Sequence, residues 1–459
     1  MAVMKRIAII GGGPAGLAAA KALALEPAQF TVDLFERRDN IGGVWLYRGD
    51  KSKVLPSVPS TDPNGREVLL PAGGFENRFF SSMYQYLETN LIDKLMEFSQ
   101  VPFEPRTMNF IDRTEVLQYL ERYAKTIPET VNVSLDTNVL DIDKKSGDSK
   151  WTVITESVSS LDKTTRQYDA VVVANGHSEL PYIPDTPGLT EWSARDPFSV
   201  THSKYFVSSS GFKNDTVLII GNYASGMDLA TQISTTAKQV YVSTKDETVK
   251  PSDYPYIEQV RLITKYDVST RSAYTIDGLV LSNIDRIVFC TGYLYTLPFL
   301  HNHAPQITDG TSVKDLYKQV FNVDDPSLSF IGLPKFVSPL PLCESQSAIV
   351  ARALSGRITL PATSEMRSSY EEELKAKGGG KNFHSFKDCD FTYCNELYDW
   401  VKQAGTEKEG LLPLFWDEQQ ISERSNVVNL KKERAEFIAK YAAKLRAEGR
   451  EFKFPDRDQ

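Results

Sequence analysis

Gly11, Gly13 and Gly16 stand in the spacing G-x-G-x-x-G, filled out by Gly12, Pro14 and Ala15. The apolar run Ile7-Ala8-Ile9-Ile10 precedes them, and an alanine-rich stretch to about Leu25 follows. That order sets a tight turn between a buried strand and the N-terminus of a helix. Gly11 permits the turn, Gly13 lets backbone approach a pyrophosphate, and Gly16 lets the helix pack on the strand. The helix N–H groups and dipole then face the phosphates. A second apolar run, Thr31 to Phe35, ends in Glu36, twenty residues past Gly16. A carboxylate there accepts hydrogen bonds from a ribose diol. The chemistry is the binding of an adenine dinucleotide.

The same grammar returns later in the chain. Thr216 to Ile220 is an apolar strand, Gly221-Asn222-Tyr223-Ala224-Ser225-Gly226 a turn, and Met227, Leu229, Ala230 and Ile233 mark a helix. The next strand, Gln239 to Val242, closes on Ser243-Thr244-Lys245 rather than an acid. Hydroxyls and a cation there suit a ribose 2′-phosphate, which favours NADP over NAD. The departure is Tyr223, in the place of the middle glycine. Further chemistry-bearing positions are Gly42, Gly43 and Trp45, whose glycines suggest backbone against a flat cofactor, and Asn90, a polar residue interrupting the apolar spacing of Tyr84, Leu87, Leu91 and Leu95.

The elements that must hold these residues read as follows. Tyr168 to Ala174 and Ile284 to Cys290 are buried strands that run into Asn175-Gly176-His177 and Thr291-Gly292-Tyr293. Each is expected to return the chain to a bound dinucleotide. Val131 to Asp143 and Trp151 to Glu156 suggest a small antiparallel sheet, and Leu328 to Gly332 a last strand. Helices are expected over Thr114 to Ile127, Leu91 to Phe98 and Glu344 to Leu354. Lys51 to Phe75 reads as an irregular loop, and charge-laced Glu423 to Glu448 as a solvated helical tail packed on the surface. The expected fold class is α/β with two dinucleotide-binding (Rossmann-like) domains, the second inserted into the first. The boundaries are 1–178, 179–287 and 288–459.

Composition narrows the class. The formal charge of -8 argues against a nucleic-acid or anionic-membrane binder. No apolar run reaches the ~18 residues of a membrane helix, so no integral membrane segment is expected. Cys290, Cys343, Cys389 and Cys394 are too few for a disulfide framework, and a cytoplasmic location follows as an expectation. His177, His202, His301, His303 and His384 lack metal-ligand spacing, so no metal is expected. A homo-oligomer is compatible with the sequence.

Together these stretches resemble the flavin-containing monooxygenases, the fungal members most closely. The likeness rests on GGGPAG with Glu36, IGGVW at Ile41 to Trp45, and YQYLETNLIDKLMEF at Tyr84 to Phe98. It continues in NGHSELPYIP from Asn175, FCTGYLYTLPF at Phe289 to Phe299, and LSFIGL leading to Gln346. The family's H-x-x-x-F/Y signature is met by His202 and Phe206, but Asp196 and Phe198 stand where an aromatic residue and a glycine precede it.

The resemblance implies FAD on the first turn and NADPH on the second. NADPH reduces the flavin, O₂ adds to give a C4a-hydroperoxyflavin, and a soft nucleophilic N or S atom of a small substrate takes the distal oxygen. It implies Gly11 to Ala15, Glu36, Val44, Trp45 and Gln346 as FAD contacts. Thr89, Asn90, Ser225, Gly226, Met227 and Asp228 are the implied NADP contacts. Asn90 is the catalytic candidate. A disulfide reductase shares the two-fold plan, yet its only C-x-x-x-x-C spacing, Cys389 and Cys394, lies in a polar C-terminal segment. A Baeyer–Villiger oxygenase carries proline where Val207 follows the signature. A leaky NADPH oxidase or non-catalytic flavoprotein is the remaining alternative, kept open by Tyr223.

Overall fold

The computed structural model describes residues 4–49, 54–65, 68–69, 79–104, 110–249, 256–301, 307–387, 389–405 and 409–455. They divide into two compact units. The first comprises residues 1–46, 91–177 and 295–427, and the second 47–90, 178–294 and 428–459.

The first unit is built on a seven-stranded sheet. At the middle of its parallel run, Arg6–Ile10 lies between Thr31–Phe35 and Ala170–Val173. Val131–Ser134 and Leu328–Phe330 extend the parallel run on either side. Ile7, Ala8 and Ile9 are wholly buried, which is why this strand reads as continuous rather than alternating apolar sequence. The helix Pro14–Ala24 follows the turn, with Pro14 in its first position, where a missing N–H costs nothing.

In the second unit a five-stranded sheet, parallel throughout, repeats that plan. Thr216–Ile220 lies between Gln239–Ser243 and Arg286–Phe289. The two sheets match in register. Ile10 pairs with Phe35 and Val173, as Ile220 pairs with Ser243 and Phe289. The chain therefore carries two dinucleotide-binding folds, with residues 178–294 of the second falling between segments of the first.

Several expectations are corrected. Val131 to Asp143 is two strands in two sheets, because the backbone turns at Asp136 (φ 51°). Val131–Ser134 joins the parallel sheet, while Thr137–Asp143 pairs antiparallel with Trp151–Ser157. Leu91 to Phe98 is no helix beyond a 3₁₀ turn at Asp93–Met96. The apolar residues from Tyr84 to Phe98 serve different cores: Tyr84 and Leu87 pack with Phe206 and Ile219 of the second unit, whereas Phe98 stacks on Tyr123 at 3.8 Å in the first. Within Lys51 to Phe75, residues 51–53, 66–67 and 70–75 lie outside the described residues, and Val54–Leu55 pairs with Val68–Leu69.

The C-terminal tail is helical and packed, as expected. Glu418–Ala447 forms one helix, and its Ile438, Ala442 and Leu445 are buried with Phe452. Arg446 donates to the carbonyls of Ser234 and Ala237. By packing, residues 47–90 and 428–459 group with the second unit, although the boundaries read from sequence give them to the first domain.

Candidate functional site

Both glycine turns are formed, and they are near copies. Gly11 and Gly221 have φ of +106° and +104°, a region that favours glycine. Gly11 N donates to Phe35 O at 2.8 Å and Gly221 N to Ser243 O at 2.9 Å. A Cβ at Gly16 would fall 1.8 Å from Gly11 O, and one at Gly226 would fall 1.9 Å from Gly221 O. Only glycine lets each helix start this close to its turn.

At the first turn, Gly12 O accepts from Gly42 N at 2.9 Å, which brings the paired glycines Gly42 and Gly43 against it. A Cβ at Gly13 would come 3.3 Å from Gly43 Cα, so this face is bare backbone. Val44 and Trp45 lie in the 3₁₀ turn that follows. Buried Glu36 accepts from Gly12 N at 2.7 Å and from Arg38 N at 2.9 Å, one oxygen each. A carboxylate has about four lone-pair sites, so acceptor capacity for a ribose diol is left. The residues fit an adenine dinucleotide. Removing the carboxylate strips two backbone N–H groups of their acceptor. Glu36→Ala should weaken flavin retention and destabilise the fold by about 1–3 kcal/mol, checked by flavin content after gel filtration and by thermal melting.

Gln346 is wholly buried. Its amide oxygen accepts from Gly332 N at 2.8 Å and its NH₂ donates to Tyr393 Oη at 2.9 Å. A Cβ at Gly332 would lie 3.2 Å from Ala15 Cβ. The side chain thus fixes the segment that touches the first turn.

At the second turn, Tyr223 adopts φ −79°, ψ −171°, against φ −79°, ψ −174° at Gly13. The backbone is extended and open to any residue, so the tyrosine does not deform the turn. Its side chain is 69% exposed, and Ala224 and Ser225 beside it are exposed too. Of the two arrangements open to a tyrosine here, a ring rotated outward over a slightly opened turn or a blocked site, the first is favoured, with the ring exposed but the turn not opened. Tyr223→Gly should lower the NADPH KM with little change in kcat, the signature of uniform binding, read from steady-state kinetics. Flavin reduction by NADPH that appears only in the variant would show the ring to be a block.

The strand end at Ser243 differs from expectation. Ser243 Oγ donates to Arg261 O at 3.2 Å, and Thr244 Oγ1 donates to Asp246 Oδ2 at 2.9 Å. Asn222 Nδ2 donates to the same Asp246 oxygen at 3.1 Å. The two hydroxyls are engaged within the protein, and Lys245 remains as the exposed cation. Asp246 supplies a carboxylate that the motif had not marked.

Asp228 and Met227 also turn inward. Met227 packs on the apolar core of the second unit. Asp228 accepts from Tyr84 Oη and, at 3.2 Å, from Gln232 Nε2. Burial pushes its carboxyl above the usual range. Gln232 Nε2 also donates to Tyr86 O at 2.7 Å. The helix of the second turn thus grips the segment ahead of Asn90. From its other side, Arg434 reaches Glu88 at 2.7 Å and Lys431 reaches it at 3.3 Å. Lys431 also donates to the carbonyl of buried Thr89 at 2.7 Å. Asn90 itself is exposed. Glu88, Lys431 and Arg434 escaped the sequence reading because no local pattern links residues some 340 positions apart.

His202 accepts from Lys204 N at 3.1 Å, and burial drives its pKa down to about 3. Phe206 packs edge-on against Tyr84 at 5.4 Å. The half-signature is therefore a support for Tyr84. Asp196 pairs with Arg271 at 2.7 Å and Phe198 is exposed. Cys389 is exposed, Cys394 is buried, and both are free. His303 lies outside the described residues. Among the described residues no helix is long and apolar enough to cross a membrane.

Comparison with known proteins agrees with this geometry. The flavin-binding monooxygenase-like family matches residues 76–256 and 256–422, and the NAD(P)-binding Rossmann-like domain matches residues 9–61. The thiol-specific monooxygenase of Saccharomyces cerevisiae is 32% identical over 456 residues, 96% of each chain. A flavin-containing monooxygenase of Arabidopsis thaliana, FMO GS-OX-like 2, is 34% identical over 88% of this chain and 86% of its own. The structure of S-allyl-L-cysteine S-oxygenase from Allium sativum superposes with a TM-score of 0.80 at 30% identity, covering 97% of this chain and 98% of that one. With two dinucleotide folds and matches along nearly its whole length, the chain belongs to the flavin-binding monooxygenases, oxidoreductases that work with FAD and NADP.

Proposed function

We propose that this chain is an FAD- and NADPH-dependent monooxygenase that oxygenates soft nucleophilic atoms of small molecules, sulfur foremost and nitrogen next. The balance is NADPH, H⁺, O₂ and R₂S to NADP⁺, H₂O and R₂SO. The observation that carries it is the pair of matched glycine turns, each in its own parallel sheet, in a chain alike over its length to sulfur-oxygenating relatives.

In this reading the FAD domain is the first unit. Gly11 to Gly16 receive the FAD pyrophosphate, Glu36 holds the ribose, and the backbone of Gly42 to Trp45 lies along the ring system, with Gln346 acting through Gly332. The second unit is the NADP domain, where Gly221, Ser225 and Gly226 receive the NADPH phosphates. Met227 and Asp228 shape that site from beneath by holding Tyr84. Thr89 and Asn90 present a held backbone and an exposed amide to the nicotinamide and oxygen. Bound flavin, once reduced, supplies activation of O₂ at its C4a position; the protein supplies placement and exclusion of water. A cytoplasmic setting accords with the acidic composition and the four free cysteines.

The test is NADPH consumption, sulfoxide formation and peroxide release, measured together with a dialkyl thioether. Sulfoxide formed mole for mole with NADPH supports the reading. NADPH consumed wholly into peroxide, whatever thioether or amine is supplied, identifies an oxidase instead.

A further inference from the structure

Lys335 lies in the segment after strand Leu328–Phe330 and before helix Pro339–Ser355. Its backbone is pinned on both sides: its N–H donates to His384 O at 2.7 Å, and its carbonyl accepts from Phe386 N at 3.1 Å. The ammonium sits 4.2 Å from the centroid of the Tyr295 ring. That ring is itself fixed, since it is buried and its hydroxyl donates to Leu333 O at 2.7 Å. His177 and His384 flank it, with ring centroids 5.5 and 4.9 Å from Tyr295. Both imidazoles are neutral. His384 Nε2 accepts from Val313 N at 3.0 Å, which leaves its Nδ1 to donate to Gln319 Oε1 at 2.6 Å. Burial and the nearby charge of Lys335 hold the His177 pKa at about 4.

No carboxylate of the described residues pairs with Lys335, and burial alone lowers its pKa to about 8. Lysine ammonium groups are almost never taken fully out of water without a partner, and this one is largely withdrawn. The face of a tyrosine compensates only in part. Position adds the second argument. Val173 pairs in register with Phe330 on one side and Ile10 on the other. His177 and Lys335 follow four and five residues beyond those strand ends. Both segments therefore leave the carboxyl edge of the sheet next to Gly11, the edge at which such folds bind their ligands.

We propose that Lys335, backed by Tyr295 and His177, is the docking point for the carboxylate of the substrate, so that the preferred substrates are small thioethers or thiols carrying a carboxylate. This rests on the monooxygenase reading and narrows it. The ammonium donates to the carboxylate oxygens, and the aromatic wall keeps water from competing. The neutral imidazoles add no charge of their own.

The test uses the holoenzyme with 3-(methylthio)propanoate and its uncharged methyl ester, in wild type, Lys335→Met and Lys335→Arg. Binding is measured by calorimetry on the oxidised enzyme, and turnover by sulfoxide formation. Wild type is expected to bind the acid in preference to the ester. Lys335→Met should weaken acid binding and raise its KM by about tenfold to a hundredfold. Ester binding, the NADPH KM and flavin content should stay within about twofold. Lys335→Arg should restore most of the loss, which a merely structural lysine would not require. Equal losses for acid and ester would overturn the proposal. So would a rise confined to the NADPH KM, which would make Lys335 a contact of a cofactor phosphate. If wild type oxygenates neither thioether, the monooxygenase reading fails, yet lysine-dependent acid binding by calorimetry would still uphold the anion site.

Discussion

Asn90→Ala is expected to leave NADPH reduction of the flavin near the wild-type rate while diverting consumed oxygen into hydrogen peroxide. The reason lies in how the structure presents this residue. Every neighbour ahead of it is held: Tyr84 by Asp228, Tyr86 by Gln232, Glu88 by Arg434 and Lys431, and Thr89 by Lys431. Asn90 comes next, exposed, on backbone anchored through the Thr89 carbonyl. A preorganised amide aimed at developing charge contributes about 10²–10³ in rate when it is removed. Coupling of NADPH to sulfoxide should therefore fall by about that factor. Stopped-flow flavin reduction and peroxide titration, run in parallel, decide it. An Asn90→Ala protein that couples as well as wild type would remove the residue from the mechanism. Arg434→Met makes the partner test, since it loosens the clamp without touching the amide. It should uncouple to a smaller degree.

What could be read from the chain follows the range of the interactions involved. The two glycine turns were legible because strand, turn and helix are contiguous and each glycine answers a contact within a few residues, as Gly16 does with Gly11 O. Glu36 was legible for the same reason. Tyr223 read as a break in the turn because motif spacing reports residue type and not φ and ψ; the extended backbone there accepts a side chain, and the ring is exposed. Apolar periodicity misled over Tyr84 to Phe98, where the chain passes from one compact unit to the other after Asn90 and the regular spacing serves two cores. Asp228 and Gln346 lay in the stretches that carry the family likeness, but their side chains hold Tyr84 and Gly332 rather than standing bare. The clamp on Glu88 and the setting of Lys335, whose charge meets no carboxylate among the described residues, left no local trace, because their surroundings are assembled from distant segments.

The matched turns allow one substitution to be made twice with opposite readouts. A Cβ at Gly16 or Gly226 would meet the carbonyl oxygen of Gly11 or Gly221 at 1.8 and 1.9 Å. Backbone oxygens cannot swing aside as a side chain can, so each helix start must shift from its turn. Overpacking of this kind costs about 1–3 kcal/mol. It also misaligns the N–H groups that converge on the phosphates, where each charge-assisted bond contributes roughly 1.5–3 kcal/mol. Gly16→Ala should therefore yield protein that loses its flavin on gel filtration and melts at lower temperature than wild type. Gly226→Ala should stay yellow and keep its flavin absorbance. Its NADPH KM should rise by at least about tenfold, one such bond's worth, while dithionite still reduces its flavin fully. Flavin loss from Gly226→Ala with retention in Gly16→Ala would reverse the assignment of the two folds. Loss from neither would mean that the turns yield without consequence, and the phosphate role of both would fall.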